Sequence, residues 1–109
     1  MSDLTPERFF EQMKEKIASN PDLVQKLNTV YQFKLNGPNG GEWYVDLTKP
    51  SGEIGKGTNP AAKCTITMND ADFISLVQGK LNSQMAFMTG KLKIQGDMGL
   101  ALKLQNLLK

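Results

Sequence analysis

The stretch MAFMTGKLKIQGDMGLALKLQNLL, residues 85 to 108, carries three structural elements and much of the chain's apolar surface. Met85 and Met88 share one side of a short helical segment that ends at Gly90, as helices often do. In KLKIQ, residues 91 to 95, apolar and polar residues alternate as on a half-buried strand. Asp97 then caps a leucine-rich segment, so the stretch predicts a helix, a strand and a helix.

The N-terminal part of the chain predicts two helices and a hairpin. Thr5 and Pro6 form a helix start, and apolar residues at helical spacing extend the helix to about residue 18. Asn20 with Pro21 begins a second, shorter helix. VYQFKL and EWYVDL then alternate on either side of the turn sequence NGPNGG, which predicts two antiparallel strands.

The middle of the chain predicts two more strands and a helix. GEIGKG, residues 52 to 57, has the glycine order G-x-x-G-x-G, which does not match a phosphate-binding loop, and we interpret it as a bent strand. CTITM, residues 64 to 68, alternates, and Asn69 or Asp70 caps a helix with Phe73 on its apolar side. The element order α-α-β-β-β-β-α-α-β-α predicts an α+β domain, with one sheet face packed and the other largely wet.

Composition excludes several kinds of function. The chain has no histidine and a single cysteine, Cys64, so histidine-based nucleophile pairs, histidine metal sites, cysteine-rich zinc sites and disulfides are not available within it. The net charge of +2 is spread along the chain without a basic tract, which argues against nucleic-acid binding. Asp70 and Asp72 stand at a helix start, where capping explains them better than catalysis.

The apolar surface of the final helix is wider than packing on one side of the helix requires. On a helical wheel Leu100, Leu104 and Leu107 lie together, whereas Leu102 lies about 160° from Leu100. Two interpretations follow: the helix is sandwiched in the core or a dimer contact, or it closes an apolar cavity. Methionines at inward positions favour a site that tolerates different apolar shapes, because methionine is unbranched and adaptable.

These segments resemble a known family. Residues 64 to 107 closely resemble the sterol carrier protein 2 family, and GGEWYVDL and VYQFKLNG are similar to its second and first strands. The resemblance implies a five-stranded mixed sheet, covered on one face by helices, with an apolar tunnel between the two layers. It places these residues near the ligand: Phe33, Trp43, Val45, Ile66, Met68, Phe73, Leu76, Val77, Met85, Phe87, Met88, Leu100 and Leu104.

The resemblance also implies a function. Family members bind fatty acids, fatty acyl-CoA, phospholipids and sterols and move them between membranes without covalent chemistry. We therefore expect a lipid ligand, no cofactor, no metal and no catalytic residue, with transient membrane contact and a monomeric state. Lys80 or Arg8 would meet a polar headgroup, and Lys91 and Lys93 would face solvent or anionic headgroups.

Two other functions and the cellular setting complete these expectations. An apolar dimerisation or docking module, and an enzyme acting on acyl thioesters through a carboxylate, are the alternatives. We expect residues 1–109 to form one free-standing domain inside the cell, in the peroxisome or the cytoplasm. The chain ends Leu107-Leu108-Lys109, without the tripeptide that addresses proteins to peroxisomes.

Overall fold

Ten elements form the fold of the described residues, in the predicted order. The computed structural model describes residues 4–49 and 52–108, with side chains described as far as Lys103. The elements are α1 (Pro6–Ala18), α2 (Pro21–Leu27), β1 (Val30–Asn36), β2 (Gly41–Asp46), β3 (Glu53–Lys56), β4 (Cys64–Asn69), α3 (Asp70–Val77), α4 (Ser83–Met88), β5 (Lys93–Gly96) and α5 (Met98–Leu108). The bent strand predicted from GEIGKG is confirmed as β3.

The strands form one mixed sheet, which confirms the predicted α+β class. Their order is β3-β2-β1-β4-β5. The β1–β2, β2–β3 and β4–β5 pairs are antiparallel, whereas β1 and β4 run parallel. A parallel neighbour requires a long crossover, and here the chain from β3 to β4 passes across β2 and β1 before it joins the sheet.

One helix, α1, is fixed to the sheet by aromatic rings. Phe10 stacks on Trp43 with ring centroids 5.1 Å apart and on Phe73 at 5.5 Å, and it meets Phe33 edge-on at 5.2 Å. Phe9 adds an edge contact to Phe73 at 5.3 Å. We call these five rings the aromatic cluster. Offset and edge-to-face pairs of this kind add stability beyond their buried area, so the cluster holds α1, α3 and the centre of the sheet together.

The turn between β1 and β2 wraps around Asp70. The Asp70 carboxylate accepts hydrogen bonds from the backbone N–H of Asn39 and of Ala71, each at 2.8 Å. Gly37 has φ +111°, and a Cβ on it would lie 2.3 Å from an Asp70 oxygen, so only glycine fits there. Asn69 occupies the N-cap position of α3 without a side-chain bond. Asp70 therefore ties a distant turn to the start of α3, a connection that capping alone does not predict.

Gln32 is an exception on the second sheet face, which is predicted to be largely wet and which carries the exposed Lys34, Lys93 and Gln95. Its side chain is only 2% exposed, because the β3–β4 crossover lies over it. Its amide nitrogen donates to the carbonyls of Trp43 (3.1 Å) and Gly57 (2.9 Å), and its oxygen accepts from Asn59 N–H at 2.8 Å. The polar side chain that the alternation assigned to solvent thus holds the crossover against the sheet.

Replacing Gln32 tests this attachment. Gln32→Leu removes three hydrogen bonds and leaves buried backbone groups unpaired, so we expect the free energy of unfolding to fall by about 2 to 4 kcal/mol. Lys34→Ala, two residues along β1 and exposed, is the control and should change it by less than about 0.5 kcal/mol. Urea denaturation of both variants measures the difference; equal stabilities would contradict the assigned role.

Cys64 lies inward on β4, beside Tyr31 of β1 in the parallel register. The thiol is 1% exposed and free. Burial, with a smaller contribution from the negative charge of Asp97, raises the pKa of Cys64 to about 11. The thiol is therefore neutral and packs as a small apolar side chain, as its alternation in the sequence predicts.

Because this pKa is raised, the free energy of unfolding is expected to change with pH in the alkaline range. The folded state holds the Cys64 proton more tightly than the unfolded chain, whose thiol has a pKa of about 8.5. The contribution is therefore fully present below about pH 8.5 and is lost as pH rises towards 11. We expect the unfolding free energy of Cys64→Ala to decline less steeply over this range than that of the wild type in urea titrations. Parallel declines would show that the thiol does not contribute.

Candidate functional site

An apolar groove lies between α4, β5 and the first half of α5. Its volume is about 420 Å³, within the range of small-molecule sites. It opens to solvent at Met88, which is 80% exposed. The described side chains that line it are Ile66, Leu76, Ser83, Gln84, Phe87, Met88, Leu92, Ile94, Met98, Ala101 and Leu102. Nine of these eleven are apolar, so the groove suits a ligand with a hydrocarbon body.

A small buried residue fixes α4 as one wall of the groove. Ala86 is fully buried, and its carbonyl accepts from the backbone N–H groups of Lys91 (2.9 Å) and Leu92 (3.0 Å). Asn82 caps the helix by accepting from Gln84 N–H at 2.8 Å. Because Lys91 and Leu92 make these bonds, β5 begins at Lys93, two residues after the predicted start. Because α4 is anchored through an alanine, its larger side chains are left at the groove and the surface.

The start of α5, the opposite wall, is held by backbone and hydroxyl contacts. The Asp97 carboxylate accepts from Gly99 N–H at 2.8 Å and from Leu100 N–H at 3.3 Å, which confirms the predicted cap. Asp97 N–H donates to the Lys63 carbonyl at 3.1 Å. The buried Tyr31 hydroxyl donates to the Leu100 carbonyl at 2.8 Å, and burial raises the pKa of Tyr31 well above its usual value. The hydroxyl therefore stays a donor at any physiological pH.

The structure places the predicted ligand-contacting residues in different environments. Ile66, Leu76, Phe87 and Met88 line the groove. The fully or almost fully buried group forms the packed core and does not line the groove: Phe33, Trp43, Val45, Met68 and Phe73. Val77 and Leu100 pack partly against this core, Met85 is exposed on α4, and the Leu104 side chain lies outside the described residues. Ligand contact by any of these residues stays a prediction.

Several lining residues were not among the predicted ligand contacts. Leu92 and Ile94 alternate towards the helices, and Met98 and Leu102 belong to the wide apolar surface of the last helix, so the sequence carried a signal for these four. Ala101 could have been found from the same helical spacing. Ser83 and Gln84 carried no signal, because their place in the groove depends on how α4 packs. Neither Lys80 nor Arg8 lines the groove.

The described residues lack two further kinds of feature. No cluster of His, Cys, Asp and Glu side chains that could hold a metal ion occurs among them. None of the helices in this part of the chain is both long enough and apolar enough to cross a membrane.

Comparison with known proteins identifies the family. The model of the SCP-2 sterol transfer family matches residues 10–109, and the chain belongs to this family. Human sterol carrier protein 2 is 44% identical over 102 residues, which cover 90% of this chain and 19% of that protein. The chain spans about one fifth of the length of the curated relatives it matches, which include hydroxysteroid dehydrogenase-like protein 2 of Xenopus laevis at 46% identity over 82% of this chain.

Solved structures show the same fold. The sterol carrier protein domain 2 of Helicoverpa armigera superposes with a TM-score of 0.79 at 35% identity, covering 99% of this chain and 92% of that one. Palmitated SCP2L2 of Aedes aegypti superposes with a TM-score of 0.78 at 23% identity, covering 96% and 95%. The fold and the family expected from the resemblance are thus confirmed. The described side chains form an open groove, and an enclosed tunnel stays a prediction.

The Tyr31 hydroxyl gives a test of how α5 is held. Tyr31→Phe removes the hydrogen bond to the Leu100 carbonyl, so we expect the free energy of unfolding to fall by about 1 kcal/mol. Relative to the wild type, backbone hydrogen exchange should become faster in α5 and should change less in α1. Tyr44→Phe is the matched control, because its hydroxyl makes only a 3.4 Å contact with Glu53 at the other side of the sheet. Unchanged exchange in α5 of Tyr31→Phe would contradict the anchoring role.

Proposed function

We propose that the protein binds a lipid in the groove and carries it between membranes without covalent chemistry. The observation that supports this most directly is the groove of about 420 Å³ with nine apolar lining residues and an open side. Membership of the SCP-2 sterol transfer family supports the transfer step. The ligand is a fatty acid, a fatty acyl-CoA, a phospholipid or a sterol.

Hydrophobic contact supplies most of the proposed affinity. Each methylene group moved from water to apolar surroundings contributes about 0.8 kcal/mol, before the cost of ordering the chain. Met88, Met98 and Phe87 line the groove and are exposed to solvent. Because methionine adapts its shape readily, these side chains can close over acyl chains of different lengths or over a sterol body.

In this proposal, the polar end of the ligand lies at the start of α4. Ser83 and Gln84 are the two polar residues among the described lining, and they adjoin each other in sequence. A lipid carboxylate or hydroxyl beside them would keep hydrogen bonds that it would lose against the rest of the wall. The hydrocarbon part then runs along β5 towards Met98 and Leu102 on α5.

The setting and form of the protein belong to the same proposal. We place residues 1–109 as one monomeric, non-enzymatic domain inside the cell, in the peroxisome or the cytoplasm. The free, buried thiol of Cys64 supports a reducing compartment.

Charged substitutions in the groove test ligand binding. The wild type should bind a fluorescent fatty acid at about one per chain, with a dissociation constant in the micromolar range or below, corresponding to about 8 kcal/mol. In Met88→Asp and in Leu102→Asp a carboxylate would face the hydrocarbon chain, so we expect affinity to fall at least about tenfold. Both side chains are largely exposed, at 80% and 63%, so the fold should survive.

Thr89→Asp is the matched control for Met88→Asp. It adds the same charge one residue further along, at an exposed position outside the groove lining, and should keep wild-type affinity. Equal affinity in all three variants and the wild type would contradict the site. Turnover of long-chain acyl-CoA by the pure protein, abolished by replacing one carboxylate, would instead support the enzyme alternative.

A further inference from the structure

The width of the groove is set by those lining side chains that cannot move aside. Met88 and Leu102 line the groove but are largely exposed, so each can change rotamer in solvent to admit a ligand. Three lining side chains are instead buried among close-packed neighbours: Ile66, Leu92 and Ala101, at 3%, 7% and 8% exposure. Ala101 is the smallest of the three. The space beside it belongs to the groove because α5 carries only a methyl group there.

The backbone of α5 is fixed at Ala101. One residue earlier, the Leu100 carbonyl accepts a hydrogen bond from the buried Tyr31 hydroxyl at 2.8 Å, and the Leu100 side chain packs against the hydrophobic core. The Ala101 N–H donates to the Asp97 carbonyl at 3.2 Å, and the Asp97 N–H donates to the Lys63 carbonyl at 3.1 Å. Displacing the helix would break these bonds. A larger side chain at residue 101 would therefore extend into the groove.

The buried alanine of α4 has a different role. Ala86 is 0% exposed and is not part of the described groove lining. Its carbonyl accepts the bonds from Lys91 and Leu92 that attach α4 to the segment before β5. A larger side chain at Ala86 would therefore disturb the packing of α4, whereas a larger side chain at Ala101 would narrow the groove itself.

We propose that Ala101 determines which lipids the groove accepts, by leaving enough width for a rigid fused-ring body such as a sterol as well as for a flexible acyl chain. A fused-ring body is wider than a polymethylene chain and keeps its shape, so it needs width at a wall that does not move. An acyl chain can bend past an obstacle by rotation about its single bonds. This inference rests on the proposed function, because it concerns the choice of ligand at the same groove.

Two lipids of different shape test the role of Ala101. Equilibrium binding of radiolabelled palmitate and of radiolabelled cholesterol is measured for each variant, and we expect the wild type to bind both. Ala101→Leu adds three carbon atoms at a fixed wall, and this overpacking should weaken cholesterol binding at least about tenfold. Palmitate binding should weaken by less than about threefold. The ratio of the two dissociation constants is therefore the quantity that should change.

Two further variants control for the added side chain and for folding. Lys103→Leu introduces the same side chain two residues further along α5, at an exposed position outside the groove lining, and should keep both affinities. Ala101→Val adds two carbon atoms and should change the ratio in the same direction but by a smaller factor. Thermal unfolding followed by circular dichroism shows whether each variant is folded. If Ala101→Leu does not fold, Ala101→Val decides the test through the same ratio.

The ratio separates selection by shape from general damage to the site. A loss of cholesterol affinity with palmitate affinity retained in the Ala101 variants supports the assigned role. Equal losses for the two lipids, no loss for either, or a wild type that binds palmitate but not cholesterol would overturn that role and leave the proposed function standing. A wild type that binds neither lipid would refute the proposed function itself.

Discussion

The stacking of Phe10 between Trp43 and Phe73 fixes the helical layer on the sheet. With Phe9 and Phe33, these rings fill the space between α1, α3 and the central strands. The protein is therefore closely packed on this side. The groove lies apart from this cluster, between α4, β5 and α5.

The groove side is built in the opposite way, with small residues at the contacts and large residues left free. Ala86 anchors α4, and Ala101 is buried beside the groove among the described side chains of α5. An enclosed empty cavity costs about 24 cal/mol per Å³, but the space here is open at Met88. The arrangement exposes apolar side chains of α4 and α5 instead. The proposed lipid binding thus depends on this choice of packing.

Local sequence signals predicted the elements well, because caps and periodicity act within a few residues. Thr5 with Pro6, Gly90 and Asp97 marked helix ends that the structure confirms. The burial of Gln32 could not be predicted from its strand, since the segment that covers it is 25 residues away along the chain. The same holds for Asp70, which binds a turn 31 residues away.

The sequence predicted which residues of the candidate site lie on the inward face of each element, but not which of them line the groove. Phe73 and Leu76 share one face of the same helix, yet Phe73 packs in the aromatic cluster and Leu76 lines the groove. Alternation and helical spacing tell which side of an element is covered, but not whether the space opposite is filled. That depends on the sizes of side chains from other elements, and here the alanines of α4 and α5 decide it.

Direct contacts between ligand and protein test the central claim, that the groove and not the aromatic core holds the lipid. The measurement is a set of intermolecular nuclear Overhauser effects between a bound fatty acid and methyl-labelled protein in solution. The account predicts contacts from the acyl chain to the methyl groups of Ile66, Ile94 and Met88, which line the groove. Contacts confined to Val45 and Leu47, which are buried in the core, would contradict it.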